Sequence, residues 1–229
     1  MCEELAQYLP NLWSASEDHD MLRCSILSTL VSIVQGLGTI TESIAPFLQD
    51  VIMLSTNINN PCRFVYILSS CLFTYFFPCQ ITYPFVCLFT FSVYLLEDGL
   101  ELWLVALQNS RQLLPQWLQL SANIPPILEL GSENLRTMIY IVQAYVILAP
   151  TEFITACGGT MVRPLNGQYS DLQDEGVLII LRLVDLVLKV GPPQTSVIFK
   201  DLIIRSLKVS SMKYWVSNMD WDHFKELIL

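Results

Sequence analysis

Apolar residues recur every three or four positions along most of this chain. Leu22, Ile26, Leu27, Leu30, Ile33, Val34 and Leu37 form the first such stripe, the spacing of a helix buried along one face. It predicts a helix from about Met21, closed by Gly36 and Gly38. The acidic, polar run Ser14 to Asp20 ahead of it suits a helix N-terminus, where the dipole favours negative charge. Thr39 followed by Glu42 has the form of a capping box. Ile44, Phe47, Leu48, Val51 and Ile52 carry the next stripe, with Pro46 in or before its first turn, and Ser55 to Pro61 reads as a loop.

The helical pattern returns at Leu95. Leu95, Leu96, Leu100 and Trp103 to Leu107 make an apolar face, with Glu97, Asp98, Glu101 and Gln108 mostly opposite. Leu113 to Leu120 and Ile124 to Leu130 predict short helical pieces broken by Pro115, Pro125 and Pro126. With Ser132 as N-cap, Leu135, Met138, Ile139, Val142, Tyr145, Val146 and Ala149 share one face of a helix that Pro150 ends. Thr151 to Ala156 starts another. Cys157 to Tyr169 holds Gly158, Gly159, Pro164 and Gly167 and reads as a loop. From about Leu172 to Val190 the chain is nearly all apolar, with Arg182, Asp185 and Lys189 as a narrow polar stripe. A helix of that kind is covered on several sides. Gly191, Pro192 and Pro193 stop it, and Val197 to Leu207 resumes.

The flanks contain no convincing period-two strand, so the fold class is all-α. A compact bundle and an α-solenoid of stacked helix pairs both fit. Ile44 to Leu54 and Leu113 to Leu120 each set a proline before an apolar helix, which favours a HEAT/ARM-type solenoid.

One stretch interrupts this pattern. Phe64 to Leu96 runs for thirty-three residues without a charged side chain, longer than the roughly twenty apolar residues that cross a bilayer. Phe64 to Phe77 is about 21 Å as a helix and Phe85 to Leu96 about 18 Å, each short of a ~30 Å hydrocarbon core. A single span must therefore pass through Pro78, Gln80 and Pro84, kinks that a membrane tolerates better than water does. In water the segment is an aggregation liability, because no charge guards it. Residues 61–92 also hold seven of the eleven Phe and four of the seven Cys. Their bias toward pyrimidine-rich codons is what a translated intron would give. Phe91-Ser92-Val93 can be encoded with an acceptor-like TTTTCAG, and Lys208-Val209-Ser210 with a donor-like AAGGTAAGT. The expected organisation is helices over 1–60, an apolar insert over 61–92, helices over 93–208 and a separate tail over 209–229. The insert is either translated intron or a membrane-like segment.

Composition narrows the function. Twelve Lys and Arg stand against twenty-one Asp and Glu, a net charge of −9 with no basic cluster. Nucleic-acid binding, which needs a cationic surface, is disfavoured, and basic protein partners suit the balance better. The seven cysteines form no CxxC pair and have no His at ligand spacing, so no metal site is expected. Their odd number, with no secretory signal at the start, points to reduced, intracellular thiols.

No catalytic chemistry stands out. His19 lies between Asp18 and Asp20, where the carboxylates cap and solvate a helix start. Cys157-Gly158-Gly159-Thr160 lacks P-loop spacing and a preceding strand, so a turn is expected. Glu97, Asp98 and Glu101 read as a solvated face. Trp13, Trp103 and Trp117 are expected to pack repeats. No catalytic, cofactor-binding or metal residue is assigned, no cofactor is implied, and a hydrolase would need a cluster of perturbed groups that one His does not supply.

The stretches Leu12 to Gly38, Val93 to Ser110 (VYLLEDGLELWLVALQNS) and Leu128 to Ile154 (LELGSENLRTMIYIVQAYVILAPTEFI) resemble the importin-beta superfamily of nuclear transport receptors, the karyopherins. The resemblance covers about residues 1–60 and 93–190, and extends more weakly to about 208. It implies a segment of the later HEAT repeats of a longer receptor, moving between cytoplasm and nucleus through the pore. Cargo proteins are the implied partners. Ran GTPase binds the family through N-terminal repeats that this chain does not contain. Internal repeats without their neighbours are expected to expose apolar faces and to dissolve poorly. The alternative function is a membrane-anchored helical protein that uses residues 64–96 as its span.

Overall fold

The structure, a computed structural model, describes residues 8, 11–16, 19–56, 82–169, 172 and 174–210. Its regular elements there are all helical, and the chain divides into two compact units, Met1–Ser110 and Arg111–Leu229.

The first unit is built on α1 (Asp20–Leu37), a 3₁₀ segment (Gly38–Ile44), α2 (Ala45–Thr56) and α3 (Thr82–Gln108). The long α3 packs against both α1 and α2. Leu27, Leu30 and Val34 from α1, Leu48, Val51 and Ile52 from α2, and Leu100, Trp103 and Ala106 from α3 are fully buried, so the predicted stripes are the core. Gly38 reverses the chain at the end of α1 with φ 56°, a conformation that glycine adopts without a Cβ penalty. The pair expected to form a capping box, Thr39 and Glu42, lies inside the 3₁₀ segment, where Thr41 Oγ1 donates to Gly38 O at 2.5 Å. Helix α1 starts after His19, which makes no side-chain capping bond. Trp13 is buried with the Arg23 guanidinium 4.9 Å from its ring centre.

Helix α3 begins earlier than its stripe suggests. Thr82 to Ser92 continues straight into Val93, since Pro84 falls in the first turn, where a missing N–H costs nothing. The expected span over residues 64–96 lies outside the described residues up to Ile81. Among the described residues no helix is long and apolar enough to cross a membrane. Most of the expected insert and tail, 61–81 and 211–229, also lies outside them.

The second unit alternates two layers. One contains α4 (Pro115–Leu120), a 3₁₀ turn (Ser121–Asn123) and α5 (Ile124–Glu129); then α7 (Pro150–Phe153), a π-turn (Ile154–Gly158) and α8 (Gly159–Gln168); then α10 (Thr195–Ile198) and α11 (Lys200–Ser210). The other contains α6 (Leu135–Leu148) and α9 (Asp174–Val190). Four prolines begin elements, while Pro164 lies inside α8. Pro115 and Pro150 are first residues, and Pro125 and Pro126 lie in the first turn of α5. Helix α6 starts at Leu135 behind Asn134, with Ser132 one turn upstream accepting the Leu135 N–H.

The loop expected over Cys157 to Tyr169 is helical instead. Cys157, Met161, Leu165 and Gln168 fall at three- and four-residue spacing and are all buried. Burial of that stripe outweighs the local preference of three glycines and Pro164, of which Pro164 alone opposes a helix by about 3 kcal/mol.

Polar bonds fix the stacking. Gln168 Nε2 donates to Leu128 O at 2.5 Å, forty residues apart, and Cys157 Sγ lies 3.5 Å from Ser121 O, thirty-six apart. Arg205 Nη1 donates to Asn166 O at 2.7 Å and Tyr169 Oη is hydrogen-bonded to Ser206 Oγ at 2.6 Å, thirty-nine and thirty-seven apart. Arg136 pairs with Glu175, thirty-nine apart. Each bond joins an element to its counterpart one repeat later, at a period near the roughly forty residues of a HEAT-type repeat. Between the layers, Tyr145 of α6 donates to Trp117 O of α4 at 2.5 Å and stacks on Phe153 of α7 at 4.8 Å between ring centres. The fold is an all-α solenoid of stacked helix pairs.

Candidate protein-binding surface

Residues singled out in the sequence for possible chemistry are dispersed. His19 is exposed at the start of α1, and Glu97 and Glu101 are exposed along α3 with Asp98 half-buried beside them. Trp13, Trp103 and Trp117 are buried in helix packing, as their expected role requires. Cys157 is 3% exposed, and burial pushes its thiol above the ordinary value, only partly offset by the Thr160 hydroxyl. A thiol held protonated is a poor nucleophile. Among the described residues no three His, Cys, Asp or Glu side chains gather as a metal would need.

The surface offers something else. In the second unit, α6 turns Leu135, Met138, Ile139, Val142 and Val146 inward. Its outer stripe is Arg136, Tyr140, Gln143, Ala144 and Ile147. Tyr140 is 39% exposed and Ile147 66%, two turns apart on the same face. Beside it, α9 presents Glu175, Arg182 and Lys189 to solvent, with Leu178, Asp185 and Leu186 half-buried among them.

One ion pair links the two helices and a second lies within α9. Arg136 to Glu175 joins the N-terminal ends of the two helices, and Lys189 Nζ meets Asp185 at 2.9 Å one turn apart on α9. The hydrogen bond to Glu175 holds the Arg136 proton more tightly than usual, with its charge and the Tyr140 hydroxyl acting in the same direction. Both pairs are solvated, so their worth lies in orientation more than in stability. Apolar and polar side chains thus stand side by side on the exposed face of these two helices.

The two units differ sharply in charge. Ten acidic and two basic residues up to Ser110 give −8, whereas eleven acidic and ten basic residues from Arg111 onward give −1. Nearly all of the chain's net charge therefore belongs to the first unit, a division that the summed composition conceals. The Tyr140 to Ile147 surface was also missed in the sequence. Its signal was present, since both residues are large and apolar yet fall off the inward stripe of α6.

Comparison with known proteins places this surface in context. A family profile described as importin-11-like, TPR repeats, matches residues 90–220. Mouse Importin-11 is 40% identical over 188 residues, covering 82% of this chain and 16% of the mouse protein, and human Importin-11 matches to the same extent. The chain thus spans about a sixth of the length of these relatives. No solved structure matches. With the profile covering more than half of the residues and a repeat period visible in the packing, the chain belongs to the importin-11-like family of nuclear transport receptors.

Proposed function

We propose that the chain works as a protein-binding scaffold in nucleocytoplasmic import, presenting the helical ridge of α6 and α9 to cargo proteins and catalysing nothing. The observation that carries this reading is the exposed pair Tyr140 and Ile147 on α6, whose neighbour α9 is linked to it by Arg136 and Glu175. Tyrosine and arginine are the residue types that dominate binding energy at such surfaces. Ran GTPase and passage between cytoplasm and nucleus belong to the action proposed for the whole receptor, of which this segment supplies part of the cargo-facing scaffold.

The test compares the full chain with a Tyr140→Ala, Ile147→Asp double variant, both immobilised and offered a cytosolic extract. Bound proteins are quantified by mass spectrometry. Most of the retained set should be lost in the variant, with its helix content and unfolding midpoint unchanged. An identical retained set would sink the reading.

A further inference from the structure

Every long element in one layer of the second unit is broken, and the breaks lie at one level. The pair α4 and α5 is divided by the 3₁₀ turn Ser121–Asn123, α7 and α8 by the π-turn Ile154–Gly158, and α10 and α11 at Phe199. The breaks touch one another. Cys157 Sγ in the middle turn is 3.5 Å from Ser121 O in the first, and a Cβ on Gly158 would sit 3.7 Å from Ile198 Cγ2 beside the third. Helices α6 and α9 in the other layer run unbroken for fourteen and seventeen residues.

The backbone at these turns has alternatives within reach. The Ile154 N–H points to both Pro150 O and Thr151 O. A change of local pitch therefore exchanges one carbonyl acceptor for another and leaves no amide unpaired. Short 3₁₀ and π segments inside helices mark such adjustable points. Gly159, directly after the π-turn, adds freedom where a Cβ would meet nothing within 4 Å.

We propose that the three breaks form one hinge seam, at which the two halves of this layer change angle together while α6 and α9 stay straight. The curvature of the ridge described above would then be set at the seam. Coupling follows from the Cys157 contact with Ser121 O and from the packing of the π-turn on α10, since a bend at the π-turn displaces the segment on either side.

Amide hydrogen exchange on the full chain tests this. Exchange by local opening should be at least about tenfold faster at residues 121–124, 157–160 and 199–201 than at Met138–Val146 and Ile180–Val187. Gly159→Ala should slow all three seam segments by about two- to fivefold, the factor that removing glycine's backbone freedom supplies. Gly167→Ala makes the same change later in α8, also in open space, and should leave residues 121–124 and 199–201 unchanged. Seam amides as protected as those of α6 and α9 would overturn the proposal. Slowing confined to residues 157–160 in Gly159→Ala would overturn the coupling, and with it the single seam.

Discussion

The two units use the same helical periodicity and are held together differently. Among the described residues of the first, close packing of helices is prominent. Gly99 of α3 lies against α2 so closely that a Cβ there would come within 2.8 Å of Ser55 Cβ. Several hydroxyls turn back to their own helices, as Ser55 Oγ does to Val51 O at 2.9 Å and Thr29 Oγ1 to Ser25 O at 2.7 Å. In the second, side chains reach across to backbone carbonyls of neighbouring elements, at Tyr145, Gln168 and Arg205. Apolar burial drives both. Directional bonds additionally select one register in the second, because each donor must find one particular carbonyl. The units also carry −8 and −1, so self-repulsion acts mainly on the first.

The strongest way to break this contrast is to remove one large core side chain from each unit. Trp103 and Trp117 are both fully buried, and substitution by Ala should cost about 3–5 kcal/mol in either case. If the units are separate cooperative bodies, urea unfolding followed by fluorescence and circular dichroism will show Trp103→Ala lowering one transition and Trp117→Ala the other. A single transition lowered equally by both would merge the units. Smaller changes sharpen the difference in mechanism. Gly99→Ala should destabilise the first unit by roughly 1–3 kcal/mol through overpacking, and Ser55→Gly in the same chain should return part of that loss. Tyr145→Phe keeps the shape and removes the hydrogen bond to Trp117 O, costing about 0.5–1.5 kcal/mol in the second unit. No second-site change that merely opens space should recover it.

How much of this was legible in the sequence depended on what kind of interaction decided each element. The stripes of α1, α2, α6 and α9 were readable because burial on one face imposes its period directly on the residues. The segment Cys157 to Gln168 was not, because its glycines and Pro164 signal a turn locally, while the burial of Met161 and Leu165 that overrides them comes from elements far away in sequence. The start of α3 at Thr82 was hidden for a related reason. An uncharged run has no polar face to reveal a helical period. The candidate surface was half visible, in Tyr140 and Ile147 standing off their stripe. Its register was not, since only the thirty-nine-residue offset between Arg136 and Glu175 brings α9 beside them.

The smallest effect concerns alkaline pH, and it should fall on the second unit. Burial raises the Cys157 thiol above its ordinary 9.0 and the Tyr169 phenol above its ordinary 10.0. For Tyr169, the Ser206 bond and the Arg205 charge oppose that rise without cancelling it. An acid whose folded value is raised keeps its proton longer in the native state than in the unfolded chain. Its contribution to stability is therefore complete below the unfolded value and is lost as pH climbs through the folded one. The window opens near pH 9 for Cys157 and near pH 10 for Tyr169. The urea midpoint of the transition that Trp117→Ala lowers should thus fall between about pH 8 and pH 11. A Cys157→Ala, Tyr169→Phe double variant should start from a lower midpoint yet show a flatter decline. The slope is the informative quantity, because lost packing shifts the midpoint at every pH while only lost titration changes how it varies. An unchanged slope in the double variant would show that other groups govern the alkaline limit, and would remove ionisation from the differences between the two units.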